Sequence, residues 1–147
     1  MQFSKVESIL PKIKPKLVQY QYIMRALHSV NTATDLDFQH RYNGFYRVQR
    51  RPEFYAVYYG LLEKYKNQTV SFSDILQEIY NNTGRMEASF SSKMLSVIDP
   101  HYPVWDKYVL ENLGVKAPYT YDKNRMKKIL HIYQEIIDWY DYFLKTE

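Results

Sequence analysis

Apolar residues recur three and four positions apart along most of the chain, and this spacing predicts helices. Leu17, Tyr20, Ile23, Met24 and Leu27 define one face after a start punctuated by Pro11 and Pro15, and that helix is expected to end near Asn31. Asp35 is placed to cap a second helical stretch carrying Leu36, Phe38 and Tyr42, broken at Asn43-Gly44. Pro52 suits the first turn of a third, with Phe54, Val57, Tyr58, Leu61, Leu62 and Tyr65 behind it. Ser71 stands three residues before Asp74, which resembles a loosened capping box. Ile75, Leu76, Ile79 and Tyr80 form the stripe that follows, and Thr83-Gly84 stops it. Next come a short helix from about Ser89 to Ile98, a Pro-rich turn over Asp99 to Pro103, and a helix over Val104 to Leu113 that Gly114 terminates. The most regular pattern is the last: Met126, Ile129, Leu130, Tyr133, Ile136, Ile137, Tyr140 and Leu144 predict a helix from about Asp122 to Leu144.

No alternating run requires a sheet; a short strand or hairpin fits only at Phe45 to Val48. The pattern therefore predicts an all-α fold. It reads as a single orthogonal helical domain, residues 1–147, of about six or seven helices, with Ser89 to Leu113 as a central helix-turn-helix unit. The expected core includes Leu27, Leu61, Leu76, Ile79, Leu95, Ile98, Val109, Leu130, Ile137 and Tyr140.

Length and composition narrow the setting. A chain of 147 residues can bury one proper core. The absence of cysteine excludes disulfides and thiolate metal sites. Met1 to Pro15 lacks the apolar run of a signal peptide, and no later segment is long enough to span a bilayer, so a cytoplasmic location away from membranes is expected. The sequons at Asn67 and Asn81 then meet no glycosylating compartment. A net charge of +4 modestly favours polyanions. The 16 tyrosines are the unusual figure, and they suit two roles: stacking on nucleobases, or packing a core while keeping a hydroxyl near water. Packing is the reading favoured here.

Several chemistries lose their usual support. His28, His40, His101 and His131 show no metal-ligand spacing, so no metal and no cofactor are expected. No Gly-rich phosphate loop and no Gly-x-Ser-x-Gly elbow is present. Glu135, Asp138 and Asp141 align on one helix face, where a solvated row is favoured over a cation site. Asp37, His40 and Arg41, with Arg47, Arg50 and Arg51 shortly after, form the densest polar segment. The arginines suit either phosphate contacts or surface pairing with Asp35, Asp37 and Glu53.

The segment Thr83 to Leu113 carries a Ser92-Lys93-Met94-Leu95 helix, a Pro-containing turn, and Pro103-Val104-Trp105-Asp106 opening the next helix. Over about Asp37 to Leu144 the chain resembles a poorly characterised bacterial and phage-associated helical family. Over Thr83 to Leu113 alone it is similar to the Lys-and-Asp region of helix-hairpin-helix DNA glycosylases. The resemblance implies that Lys93 is a nucleophile attacking the sugar C1′ and that Asp106 steadies the cationic transition state or shuttles protons. It also implies DNA as partner, with Tyr102 and Trp105 stacking on an extruded base and Arg85 or Lys107 holding phosphate. The Gly-rich hairpin that precedes the Lys in those enzymes is replaced here by Met86 to Ser92, and the Lys-to-Asp interval is shorter.

Elementary packing offers a second account of the same residues. Asp106 in a first helical turn complements the macrodipole, Pro103 and Trp105 brace the turn, and Lys93 lays its stem over an apolar face. Under that account the protein is a non-catalytic interaction or structural module, with a protein partner or a second copy of itself.

Overall fold

Local capping chemistry decides where several of the helices begin and end. The structure, a computed structural model, describes residues 3–146, with side chains from 13 to 144. Its described residues form seven α-helices and no strand: α1 (Phe3–Ala26), α2 (Leu36–Tyr46), α3 (Pro52–Tyr65), α4 (Phe72–Thr83), α5 (Ala88–Ile98), α6 (Lys107–Leu113) and α7 (Arg125–Thr146). The chain divides into two compact units, Met1–Lys66 and Asn67–Glu147.

In the first unit, α1 runs straight through Pro11 and Pro15, where the sequence suggests a start, although proline donates no N–H to the helical ladder. It ends at Ala26, earlier than the expected Asn31, and Thr32 is drawn inward instead. The Glu63 carboxylate accepts from the Thr32 N–H (2.7 Å) and hydroxyl (3.2 Å), and Lys66 donates to both Glu63 (2.8 Å) and the Val30 carbonyl (2.8 Å). The buried face of α1 includes Ile23 and Ala26, continued by Leu27 beyond its end; Leu17, predicted on that face, is half exposed at 50%.

Asp35 caps α2 by accepting from the Phe38 N–H (2.9 Å), as its position predicts. The helix does not break at Asn43-Gly44. Packing of Tyr42 and Tyr46 carries it to Tyr46, with ring centroids 4.5 Å apart, and Arg47 turns the chain at φ 56° in the left-handed region. The strand or hairpin at Phe45 to Val48 is thereby replaced by helix and turn, with the Val48 N–H bonded to the Asn43 carbonyl. Pro52 opens α3 as predicted. Tyr42, Tyr58 and Tyr59 are completely enclosed between these helices, and the Tyr42 and Tyr58 hydroxyls bond each other at 2.8 Å.

In the second unit, Ser71 and Asp74 complete the capping box of α4, and left-handed Gly84 ends it. α6 starts at Lys107 rather than Val104, because Asp106 is extended (φ −140°, ψ 169°) and caps the helix from outside. Gly114 ends it in the left-handed region (φ 68°), as expected. On α7 the buried residues are Ile129, Ile132, Tyr133 and Ile136, while Leu130, Ile137 and Tyr140 are half-buried. Of the other expected core positions, Leu27, Leu61, Leu76, Ile79, Leu95 and Val109 are buried and Ile98 is half-buried.

Candidate functional site

The buried side of α5 is made by Phe90, Ser91, Ser92, Met94, Leu95 and Val97. Lys93 consequently sits at the margin of that face, half-buried, with its ammonium 5.1 Å from the Phe90 ring centroid. Ser92, its neighbour, is fully buried. Its hydroxyl donates to the Ser89 carbonyl (2.8 Å) and accepts the Trp105 N–H (2.8 Å). The Tyr133 hydroxyl on α7 donates to the Pro103 carbonyl (2.8 Å). Two bonds therefore pin the turn before α6, one to α5 and one to α7.

The first of these bonds ties the side chain next to Lys93 to the backbone next to Asp106. Asp106 is exposed and accepts from the Val109 N–H through one carboxylate oxygen (2.9 Å). Its charge also reaches Tyr140, whose hydroxyl is pushed above the usual tyrosine range first by burial and then by Asp106. Trp105 is only 6% exposed, so its indole is packed into the unit. Tyr102 is half-buried and edges a small cleft with Ser71, Phe72, Tyr133 and Ile137. Arg85 is exposed and paired through Nε with buried Glu87 (2.8 Å); Lys107 is exposed on the first turn of α6. The turn between α5 and α6 is stiffened by Asp99, which accepts from the His101 backbone (3.1 Å) and lies 3.0 Å from its ring. These contacts hold the Asp99 carboxyl below its usual range.

Two basic features lie elsewhere. In the first unit the loop between α2 and α3 carries Arg47, Arg50 and Arg51. The Tyr55 hydroxyl accepts from the Arg50 N–H (3.1 Å) and donates to the Val48 carbonyl (3.1 Å), while Val48 is buried beneath. The arginines are thus mounted on a braced loop. Arg41 pairs with Asp37 (3.1 Å), as one reading of the sequence anticipates.

In the second unit, a cleft of about 710 Å³ opens between the α6–α7 connection and α7. Lys116, Lys127, Lys128, His131 and Asn124 supply its polar lining, and Ala117, Pro118, Tyr119 and Ile132 its apolar lining. Tyr119 stacks in parallel on Tyr121, with centroids 5.3 Å apart and planes 1° off parallel. Asp122 lines the cleft as well. The Lys128 ammonium and the Asn124 N–H hold its carboxyl below the usual range. The pattern reading assigns none of these residues a role, although Lys116 to Lys128 interleaves tyrosines with lysines, a composition suited to nucleic-acid contact.

The carboxylate row of α7 is engaged locally: Glu135 contacts the His131 ring at 2.8 Å, and Asp138 accepts from Gln134 at 2.9 Å. Among the described residues no group of three His, Asp or Glu is placed to hold a metal ion, and no helix is long and apolar enough to cross a membrane. Compared with protein-family models, curated proteins and solved structures, the chain matches none.

Proposed function

We propose that the protein is a DNA-binding protein with a glycosylase- or lyase-like site at the α5–α6 junction, in a cytoplasmic setting. In this reading Lys93 is the nucleophile and Asp106 its carboxylate partner. The observation that carries it is the Ser92–Trp105 bond, which joins the residues adjacent to Lys93 and Asp106 at a junction where the aspartate is exposed. A neutral Lys93 amine would attack the sugar C1′ as the C1′–base bond breaks and the base leaves with a proton; opening of the C1′–O4′ bond, with a proton passing from the nitrogen to O4′, would then give the imine. Asp106 would steady the positive charge that develops on the sugar. Trp105 is too enclosed to receive a base, so stacking falls to Tyr102; Arg85 and Lys107 would meet phosphate.

The test is borohydride trapping on duplexes carrying abasic or damaged bases. Wild type is expected to form a covalent adduct that Lys93→Ala abolishes. Asp106→Asn keeps a good N-cap while removing the charge, so it is expected to slow adduct formation without unfolding α6. No adduct across the panel overturns the catalytic reading.

The second reading rests on the same junction. Trp105 is buried, Asp106 caps α6 and Lys93 lies over Phe90, which suffices to make all three structural. The protein would then be a non-catalytic module with a protein partner or a second copy of itself.

A further inference from the structure

We infer that the cleft beside α7 is a binding site for a nucleoside phosphate, either free or as a unit of a single strand. It is independent of the Lys93–Asp106 junction, and neither residue lines it.

Three features converge on this ligand class. The first is the tyrosine pair. Tyr119 and Tyr121 are 67% and 80% exposed, so their stacking excludes little water and serves no core. What it does is hold the Tyr119 ring, which lines the cleft, parallel to the Tyr121 ring. A planar heterocycle is the group such a ring takes, since every base has a face to stack.

The second feature is charge. Three lysines line the cleft against one aspartate. Asp122 is occupied by Lys128 and the Asn124 N–H. No ion pair engages Lys116 or Lys127 among the described residues. Their ammonium groups are available to a phosphate, and Asn124 adds a polar amide that can read a base edge. The surrounding unit carries more acidic than basic residues, so the cleft is a local basic site and does not merely extend a basic surface.

The third feature is size. About 710 Å³ falls within the range of small-molecule sites and accommodates a base, sugar and phosphate together. Ala117, Pro118 and Ile132 supply the apolar contact that a sugar–base unit needs beside its polar anchors. A bare inorganic anion would leave the tyrosine face and this apolar wall unused.

The test uses the full chain with two probes: ADP by calorimetry, and a fluorescein-labelled oligothymidylate strand by anisotropy. At least one is expected to bind. Tyr119→Ala should weaken binding about tenfold and Tyr119→Phe by less than about twofold, because the ring and not the hydroxyl stacks. Lys127→Ala should weaken strand binding severalfold and reduce its salt dependence. ADP binding without strand binding assigns the cleft to a free nucleotide; strand binding that Tyr119→Ala weakens, with no ADP binding, assigns it to nucleic acid; competition between the two assigns a shared subsite. Binding of neither probe, inorganic phosphate competing as well as ADP, or affinity indifferent to Tyr119→Ala in a variant with unchanged circular dichroism and melting temperature overturns the inference.

Discussion

Both units enclose tyrosines, Tyr133 with its hydroxyl on the Pro103 carbonyl in the second, but the second also sets a stacked tyrosine pair out in water. In the first, Tyr42, Tyr58 and Tyr59 are enclosed, and their hydroxyls find partners inside: Tyr42 and Tyr58 bond each other, and Tyr59 bonds the Gln39 carbonyl and the Asn43 side chain. In the second, Tyr108, Tyr119 and Tyr121 face water, and two of them stack where a basic cleft opens. Charge divides as well. Basic residues outnumber acidic ones about twofold up to Lys66, whereas acidic residues prevail beyond it. An aromatic count for the whole chain therefore averages two different uses, one energetic and one displayed.

The largest effect should come from emptying the enclosed cluster. Tyr42 packs against Phe38, Tyr46, Tyr58 and Tyr59, with centroid distances from 4.5 to 5.9 Å. Tyr42→Ala is expected to destabilise by about 3–5 kcal/mol in urea unfolding, by analogy with large-to-small aromatic truncations in cores. A loss below about 1 kcal/mol would mean that the first unit does not depend on its tyrosines, and the contrast between the units would fail.

A smaller loss is expected at the pinned turn of the second unit. Ser92→Ala leaves the buried Trp105 N–H without its acceptor, at a cost of about 1–3 kcal/mol. Because that bond also positions the residues next to Lys93 and Asp106, any adduct formed by Lys93 should fall with it. A stable Ser92→Ala protein with undiminished trapping would detach the proposed chemistry from that bond.

The hydroxyl pair in the first core sharpens the comparison further. Tyr58→Phe keeps the ring and removes one oxygen, stranding the Tyr42 hydroxyl in a dry site; about 1–2 kcal/mol should be lost. Tyr42→Phe combined with Tyr58→Phe should cost less than the two singles added together, since no orphaned hydroxyl remains. Strict additivity would show that the pair contributes nothing as a pair.

Acid should probe the first unit through Glu63. Lys66 and the Thr32 N–H and hydroxyl hold its carboxyl below the ordinary value, against the opposing effect of desolvation. The folded value is depressed, so the contribution is present above the unfolded value, about 4.3, and is lost as the pH falls through the lower folded one. Stability of Glu63→Gln should therefore fall less than that of wild type over this interval. Parallel acid curves would remove Glu63 as a source of the loss. Asp37, Asp99 and Asp122 are also depressed and should persist in both proteins.

What could be read from the chain alone was mostly local. Asp35, Pro52, the Ser71–Asp74 box, Gly84 and Gly114 act within a turn of themselves, so their identity and spacing suffice to place them. Asn43-Gly44 misleads because the breaking tendency of two residues is overridden by the tyrosines on either side, which bury only if the helix continues. On α7 a stripe with broad flanks leaves its centre undetermined by about one position; Ile132 is enclosed, whereas Ile137 and Tyr140 are half-buried. The cleft was hidden for a different reason. Tyr119 and Tyr121 lie in a connection without helical period, and their meeting with Lys127, Lys128 and His131 depends on how that connection folds back on α7.

The smallest change in stability should come from Tyr121, and it isolates display from packing. The ring is 80% exposed, so Tyr121→Ala should alter unfolding free energy by no more than about 0.5 kcal/mol. Its stacking partner is the ring that lines the cleft, so affinity for the probe that binds there should still drop a few fold as Tyr119 loses the ring stacked on it. The first unit offers no such separation, because every enclosed tyrosine there carries stability with it. A Tyr121→Ala protein that loses stability but keeps its affinity would reverse the assignment, making the stacked pair part of the fold and no part of the site.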